Sequence, residues 1–115
     1  SIGRQAEVVH SIITEGCTIE GHVENSVLSN SVTVGAGARV LYSILHPGVV
    51  VEPGAVVEYA ILGEGTVVGA GAHVGAQPDG TDAWCVATVG PDVAVPAGAT
   101  VPAGAMIYDG AEVHA

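Results

Sequence analysis

Five histidines are the side chains of this 115-residue chain that could serve as general bases or metal ligands. A catalytic base would deprotonate an acceptor hydroxyl or amine. His46 lies beside Pro47 and Gly48, and His73 ends a repeat unit, but the repeat places no carboxylate to orient either ring. We therefore predict surface or corner histidines. They also form no obvious zinc site, although rings of neighbouring subunits could converge. The histidines are His10, His22, His46, His73 and His114.

The other reactive side chains are two cysteines and two arginines. Cys17 and Cys85 give neither a disulfide framework nor metal-ligand spacing, which fits a reducing cytosol. Cys17 occupies a small inward position and is predicted to be a buried packing residue. Cys85 lies in a predicted loop, and nothing marks it as a nucleophile. Arg4 and Arg39 are the only strong cations, because the chain has no lysine.

The acidic charge balance narrows the range of partners. Twelve Asp and Glu residues against two arginines give a formal net charge of −10. Binding to phosphate backbones or anionic lipids needs clustered cations, so nucleic acid and membrane surfaces are not expected as partners. The longest uncharged stretch, 93–108, is shorter than the roughly 20 residues of a spanning helix and contains prolines and glycines. No signal peptide is visible, and we expect a cytoplasmic protein.

Successive aliphatic residues are mostly six positions apart, and at regular intervals they are five apart. Any functional site must be positioned by the structure that these repeats form. Val and Ile favour strands, whereas 17 glycines and 6 prolines forbid long helices. A sustained hexad repeat is typical of a parallel β-helix. The series comprises Ile2, Val8, Ile13, Ile19, Val23, Leu28, Val34, Val40, Leu45, Val51, Val57, Leu62, Val68, Val74, Val89, Val95, Val101 and Ile107.

The step lengths define the coils of this helix. Each coil contains one short and two full hexads, which predicts a triangular cross-section and about six coils within one all-β domain, 1–115. The first coil is two residues shorter near 20–22. Successive coils contain 15, 17 and 17 residues, counted between the five-residue steps that begin at Val8, Val23, Val40 and Val57.

A second inward position is expected four residues after each aliphatic residue. It lies two residues before the next aliphatic, and strand side chains alternate with period two. Glycines between the two positions are expected at corners that need positive φ or close backbone approach. The second series comprises Ile12, Cys17, Val27, Val32, Ala38, Ile44, Val49, Ala55, Ile61, Thr66, Ala72, Val93, Ala99 and Ala105.

The 17-residue spacing also predicts columns of side chains in successive coils. Stacking of Tyr42 on Tyr59 would form an aromatic ladder at one corner. Exposed aromatic residues favour interfaces, although such a ladder could equally cover its own coil. The corner column is His10, Asn25, Tyr42 and Tyr59, and beside it runs a column of Ser11, Ser26, Ser43 and Ala60.

Irregular segments set the limits of the repeat. Residues 75–88 do not fit a hexad and are predicted to project as a loop that carries Trp84, and the repeat also ends after Ile107. The register is already running at Ile2, and the chain has no initiator methionine. We therefore expect a fragment of a larger chain, whose missing N-terminal part covers the exposed first coil.

Particular hexads resemble a known superfamily. VGAGAR at 34–39 and VGAGAH at 68–73 are similar to the repeats of left-handed parallel β-helix proteins, and the handedness is implied by that resemblance. SIITEGCTIEG at 11–21 and VENSVL at 23–28 resemble the β-helix of bacterial glucose-1-phosphate adenylyltransferases. YSIL at 42–45, VEPGAVV at 51–57 and AIL at 60–62 continue the resemblance, which accounts for the shortened first coil.

The resemblance implies a function for the parent enzyme rather than for this piece. In the family, an N-terminal nucleotidyltransferase domain makes ADP-glucose from ATP and glucose 1-phosphate with Mg²⁺ for glycogen synthesis. The Gly-rich nucleotide loop of that domain is absent from this sequence, so no catalytic residue or cofactor is expected here. The parent could also be the family's non-catalytic paralogue.

Three roles are then expected of this β-helix: support of its own catalytic domain, assembly of an oligomer (a tetramer in the family) and allosteric control. Family effectors are anionic, which makes Arg39 the candidate effector contact, although one arginine is a weak anion site and a solvated Arg39 is favoured. The candidate interface residues are Tyr42, Tyr59 and Trp84. The alternatives are a trimeric, acyl-CoA-dependent hexapeptide acyltransferase, which would use a histidine base, and a purely structural β-helix.

Overall fold

The computed structural model describes residues 1–114, which form seventeen strands of two or three residues and no helix. No helix that could span a membrane therefore occurs in this range. Pairs of β-branched residues bounded by glycine and proline turns explain such short strands. The strands are β1 Glu7–Val9, β2 Ile12–Ile13, β3 Thr18–Ile19, β4 His22–Glu24, β5 Val27–Leu28, β6 Thr33–Val34, β7 Arg39–Leu41, β8 Ile44–Leu45, β9 Val50–Val51, β10 Val56–Glu58, β11 Ala60–Leu62, β12 Val67–Val68, β13 His73–Val74, β14 Ala87–Val89, β15 Ala94–Val95, β16 Thr100–Val101 and β17 Met106–Ile107.

Every third strand pairs in parallel with its counterpart in the next coil. The first sheet contains β1, β4, β7, β10, β13 and β16, the second contains β2, β5, β8, β11, β14 and β17, and the third contains β3, β6, β9, β12 and β15. Val40 lies beside Val57, and Val57 beside Val74, which is the predicted 17-residue spacing. The chain is a parallel β-solenoid of about six turns, and the predicted left-handed hexapeptide β-helix is confirmed.

The core is the column of aliphatic side chains predicted from the hexads. From Ile19 to Val101, every member of the series is at most 2% exposed. Ile2 was also predicted to point inward, but it is 61% exposed. The end coil has a neighbouring coil on one side only, so its side chains are incompletely covered. Val8, Ile13 and Ile107 are half-buried for the same reason.

The predicted second inward position is wrong on the second sheet. There the five-residue step places the fourth residue directly before the next inward residue, so alternation turns it outward. Ile12 and Ile44 are accordingly 62% and 43% exposed. The same reversal applies to Val27 and Ile61. On the other two sheets the buried members of the series confirm the prediction: Cys17, Val32, Ala38, Val49, Ala55, Thr66, Ala72, Val93 and Ala99.

Serines fill the inward position of the second sheet instead. Ser26 and Ser43 are buried, and their hydroxyls bridge successive coils. The Ser43 Oγ donates to the Leu41 carbonyl at 2.9 Å and accepts from the Ala60 N–H at 3.2 Å. The Ser26 Oγ accepts likewise from the Ser43 N–H at 3.0 Å. In these coils a small serine hydroxyl, which both donates and accepts a hydrogen bond, therefore takes the inward position that other sheets fill with an aliphatic side chain.

Two kinds of corner close the coils. The corner before the second sheet has a left-handed backbone, with φ of 45°, 48°, 49° and 49° at His10, Asn25, Tyr42 and Tyr59. The shortened corner of the first coil needs a glycine, because a Cβ on Gly21 would lie 2.4 Å from the Ala38 carbonyl oxygen.

Residues 75–86 form the predicted loop. It ends two residues earlier than predicted, because Ala87 and Thr88 belong to β14. Gly75 begins the loop with a φ of 82°, where a Cβ would lie 1.8 Å from the Glu58 carbonyl oxygen. The Trp84 Nε1–H donates to the Ala76 carbonyl at 2.9 Å, which ties the end of the loop to its start.

Candidate functional site

The outward side of the first sheet carries a histidine between two carboxylates. The Nδ1 of His22 lies 2.6 Å from Glu7 Oε1, and its Nε2 lies 3.0 Å from Glu24 Oε1. The His22 side chain is 19% exposed. Each ring nitrogen of His22 therefore faces a carboxylate oxygen, and the two contacts fix the orientation of the ring. Neither ring nitrogen is left free in this cluster.

A second histidine–carboxylate pair lies further along the same sheet, between Glu58 on β10 and His73 on β13. The Glu58 Oε2 bonds to the Nε2 of His73, and Glu58 is only 8% exposed. The prediction that no carboxylate orients His73 is therefore wrong. The signal was available: His73 lies beside Val56, and Glu58 follows Val56 by two residues on the same face. Column spacing combined with period-two alternation would have found the pair.

Geometry limits what the two clusters can do chemically. Glu58 orients the His73 ring, as a base would require, and leaves its Nδ1 directed away from the pair. His73 lines neither the cleft beside Arg39 nor the cleft formed by Asp92, Ala94 and residues 110–114. His10, His46 and His114 are exposed, as predicted. Within residues 1–114 no group of three or more His, Cys, Asp or Glu side chains is placed so that it could hold a metal ion.

Arg39 lies exposed beside His22, at the edge of an open cleft of about 420 Å³. Glu20 and Gln5 line the same cleft. In residues 1–114 the ion pairs all involve histidine rings, so no carboxylate engages the Arg39 guanidinium there. Arg39 alone gives a weak anion site, because the carboxylate of Glu20 lines the same cleft and would repel an anion.

The three predicted interface residues come together at the corner before the second sheet. The rings of Tyr42 and Tyr59 stack with centroids 4.8 Å apart and planes 7° apart. Trp84 of the loop packs edge-on against Tyr59 at 5.7 Å, while Tyr42 remains 48% exposed. Partial loss of solvent raises the pKa of the Tyr59 phenol above its ordinary value, and the neighbouring Tyr42 and Glu58 add to the rise.

The outward side of the second sheet has a different composition, and we call it the apolar face. Its strands contain no Asp, Glu, Lys or Arg. Met106 and Ile12, at its two ends, are 73% and 62% exposed. Sequence reasoning missed this surface because it assigned most of these residues to the core. The apolar face consists of Ile12, Val27, Ile44, Ile61, Thr88 and Met106.

The two cysteines lie where the sequence placed them. Cys17 is 5% exposed, and its thiol donates to the Ser29 carbonyl at 3.1 Å. Cys85 lies exposed in the loop. Within the described residues both thiols are free. Cys17 therefore contributes packing and one hydrogen bond to the core.

Comparison with known proteins finds a matching family and several similar enzymes. Residues 1–95 match the family described as GlmU-like, C-terminal hexapeptide. The chain is 51% identical over 49 residues to glucose-1-phosphate adenylyltransferase of Clostridioides difficile (strain 630), and 49% identical over 47 residues to that of Bacillus cytotoxicus. These stretches are 43% and 41% of this chain but 13% and 12% of the relatives. The match thus spans about one eighth of the relatives' length.

A solved structure supports the architecture separately. The N-terminal domain of CcmM, crystallised in complex with CcmN, superimposes with a TM-score of 0.55 and 17% sequence identity. The similarity covers 90% of this chain and 92% of that chain. At this level of identity it shows the β-helix fold alone.

Proposed function

The chain belongs to the family of GlmU-like C-terminal hexapeptide domains, and from this premise we propose that it is the C-terminal β-helix of a glucose-1-phosphate adenylyltransferase. The observation that carries the proposal is the 51% identity over 49 residues to such an enzyme. The match includes no more than about one eighth of that relative. Family membership of the chain is therefore shown, whereas the activity of the whole protein is what we propose.

The parent reaction would be carried out by an N-terminal nucleotidyltransferase domain outside 1–115. There the phosphate oxygen of glucose 1-phosphate would attack the α-phosphorus of ATP. One P–O bond forms, the bond between the α- and β-phosphates breaks, and pyrophosphate leaves with ADP-glucose as the product. Mg²⁺ would be bound by that domain, in the cytoplasm.

The β-helix itself would serve as a non-catalytic scaffold. A rigid stack of paired coils supports this role, because each strand is hydrogen-bonded to its neighbours in register. It would buttress the catalytic domain and make subunit contacts, with Tyr42, Tyr59 and Trp84 as contact residues at the aromatic corner. Arg39 would add one cation to an effector site completed by the catalytic domain or a neighbouring subunit.

The experiment is an assay of the complete reading frame. We expect release of pyrophosphate that depends on ATP, glucose 1-phosphate and Mg²⁺, with ADP-glucose as the second product. A parent that binds both substrates without turnover would correspond to the non-catalytic paralogue. A parent with no affinity for either substrate would contradict the proposal.

One observation favours a second candidate, the hexapeptide acyltransferase. Glu58 orients the His73 ring in the way that a general base requires. Isothermal titration of the chain with acetyl-CoA decides between the candidates, because an acyltransferase would bind it saturably in the micromolar range. We expect no saturable binding, and saturable binding would instead favour the acyltransferase.

A further inference from the structure

Aspartate is followed by glycine at two places in this chain, Asp79–Gly80 and Asp109–Gly110. In such a pair the backbone nitrogen of the glycine can attack the side-chain carboxyl carbon of the aspartate, because glycine has no Cβ to obstruct the approach. Both aspartates are exposed to water. In residues 1–114 neither glycine N–H donates a hydrogen bond, so both nitrogens are free to react. By sequence alone the two pairs are equivalent.

The reaction at such a pair needs no reagent other than water. A bond forms between the glycine nitrogen and the aspartate Cγ, the carboxyl OH leaves with the amide proton as water, and a five-membered succinimide remains. Water then opens the ring at either carbonyl. One product is aspartate again, and the other is isoaspartate, whose main chain runs through the side-chain carboxyl and is one methylene longer. The carboxyl must be protonated for its oxygen to leave, so a carboxylate held in its ionised form reacts slowly.

Hydrogen bonds within the loop separate Asp79 from this chemistry. Its Oδ1 accepts from the Thr81 N–H at 2.9 Å and from the Thr81 hydroxyl at 2.6 Å. The bond from the hydroxyl is the main cause that lowers the pKa of the Asp79 carboxyl below its ordinary value, and the bond from the N–H adds to it. These bonds keep the group ionised and must break before the carboxyl can turn to the Gly80 nitrogen.

Asp109 has no such protection in the described part of the chain. Among the aspartates of residues 1–114, only Asp79 has a carboxylate that accepts a hydrogen bond. Asp109 lies in a turn that the Ala111 N–H closes on the Tyr108 carbonyl at 3.1 Å. We propose that Asp109–Gly110 is a site of spontaneous isoaspartate formation and that Thr81 protects Asp79–Gly80 from the same reaction. The proposal is independent of the proposed function.

Isoaspartate at position 109 loosens one end of the solenoid. The segment after the turn covers part of that end, because Glu112 bridges to Ala94 in parallel and Val113 packs against the core. An added methylene lengthens the main chain before these contacts by about 1.5 Å. The bridge and the turn then cannot both keep their register, so the segment separates from β15 and uncovers the end of the core.

The test is incubation of the folded chain at neutral pH, followed by digestion with a protease that cleaves before aspartate and does not cleave before isoaspartate. An uncut bond before residue 109 or 79 then reports isoaspartate at that position, and electron-transfer fragmentation confirms it. We expect isoaspartate to accumulate at least about threefold faster at Asp109 than at Asp79, a modest ratio because water weakens exposed hydrogen bonds. In urea that unfolds the chain, the two rates should become equal.

Thr81→Ala tests the protection directly, because it removes the hydroxyl that donates to Asp79. The rate at Asp79 should rise about threefold, and the rate at Asp109 should stay the same. Thr100→Ala is the matched control, since Thr100 is also exposed but belongs to β16, and it should alter neither rate. In the isomerised fraction, amide hydrogen exchange at Ala111 should accelerate because the turn hydrogen bond is lost.

Three results would overturn the proposal. The first is an absence of isoaspartate at Asp109 in the folded chain, and the second is an equal rate at the two pairs under native conditions. The third is a difference that persists in urea, because neighbouring residues rather than the fold would then set it. An unchanged rate at Asp79 in Thr81→Ala would exclude Thr81 as the protecting residue. The assay needs no enzymatic activity, so the proposed function stands or fails separately.

Discussion

The first sheet directs His22, Glu24 and Glu58 outward, whereas the second sheet directs Val27 and Ile44 outward. Both sets occupy strands of one solenoid, and both lie over a core of the same aliphatic series. The difference arises at the preceding corner, where the five-residue step shifts the strand by one residue. The comparison teaches that outward positions of a β-helix are free to specialise, because the inward series already supplies the stability.

The variant with the largest expected effect tests which of the two residues of β8, Ile44 or Leu45, belongs to the core. Leu45 is fully buried and Ile44 is 43% exposed, although both were predicted to point inward. Leu45→Ala should lower the free energy of unfolding by about 3 kcal/mol, because it leaves a cavity between coils. Ile44→Ala should lower it by less than about 1 kcal/mol. Urea denaturation followed by circular dichroism measures both, and similar losses would contradict the assigned orientation.

The next effect tests the serine column that replaces aliphatic residues inside the second sheet. Ser43→Ala removes the acceptor of the Ala60 N–H and the donor to the Leu41 carbonyl. We expect a loss of about 2 kcal/mol in the free energy of unfolding, because the buried Ala60 N–H loses its acceptor. The Leu41 carbonyl keeps its hydrogen bond from the Tyr59 N–H. Ser29→Ala, at an outward position of the same sheet, is the control and should change little. Thermal unfolding compares the two variants, and equal stability would show that Ser43 is dispensable.

A smaller effect tests the ion pair on the first sheet. His73→Ala leaves the Glu58 carboxylate without its partner, and Glu58 is 8% exposed. We expect a loss of about 1 kcal/mol near neutral pH, reduced from a fully buried value because the His73 side chain is 45% exposed. His114→Ala is the control, since His114 is exposed and 4.0 Å from Glu112. Equal unfolding midpoints for the two variants would contradict a stabilising pair.

The smallest effect lies at the corner between the two faces. The pKa of Tyr59 is raised, so folding favours its neutral phenol. This contribution to stability is present below the ordinary tyrosine pKa and is lost as pH rises through the folded-state pKa. Absorbance titration of tyrosinate should show one late-ionising phenol, and Tyr42→Phe should move it partly back, because Tyr42 contributes to the rise. An unchanged titration in Tyr42→Phe would exclude that contribution.

The spacing of the aliphatic residues was sufficient to predict most of the fold. It predicted the three sheets, the 17-residue coil, the burial of Leu45 and Val57 and the stacking of Tyr42 on Tyr59. These features depend on spacing along one chain, which a sequence displays directly. The same arithmetic misplaced Ile44 because a full hexad was assumed where the corner is one residue shorter. It also missed the Glu58–His73 pair, which requires two columns to be combined.

The sequence alone determined that the chain is a β-helix and that the aliphatic series from Ile19 to Val101 points inward. A repeat of small and β-branched residues has one efficient way to bury such side chains. Tertiary structure decided what the surface carries. The left-handed corners at Tyr42 and Tyr59 set which way the next strand faces, and coil-on-coil register set which carboxylate meets which histidine. Strand orientation and register depend on contacts between residues about 17 positions apart. They are therefore fixed only when the coils stack on one another.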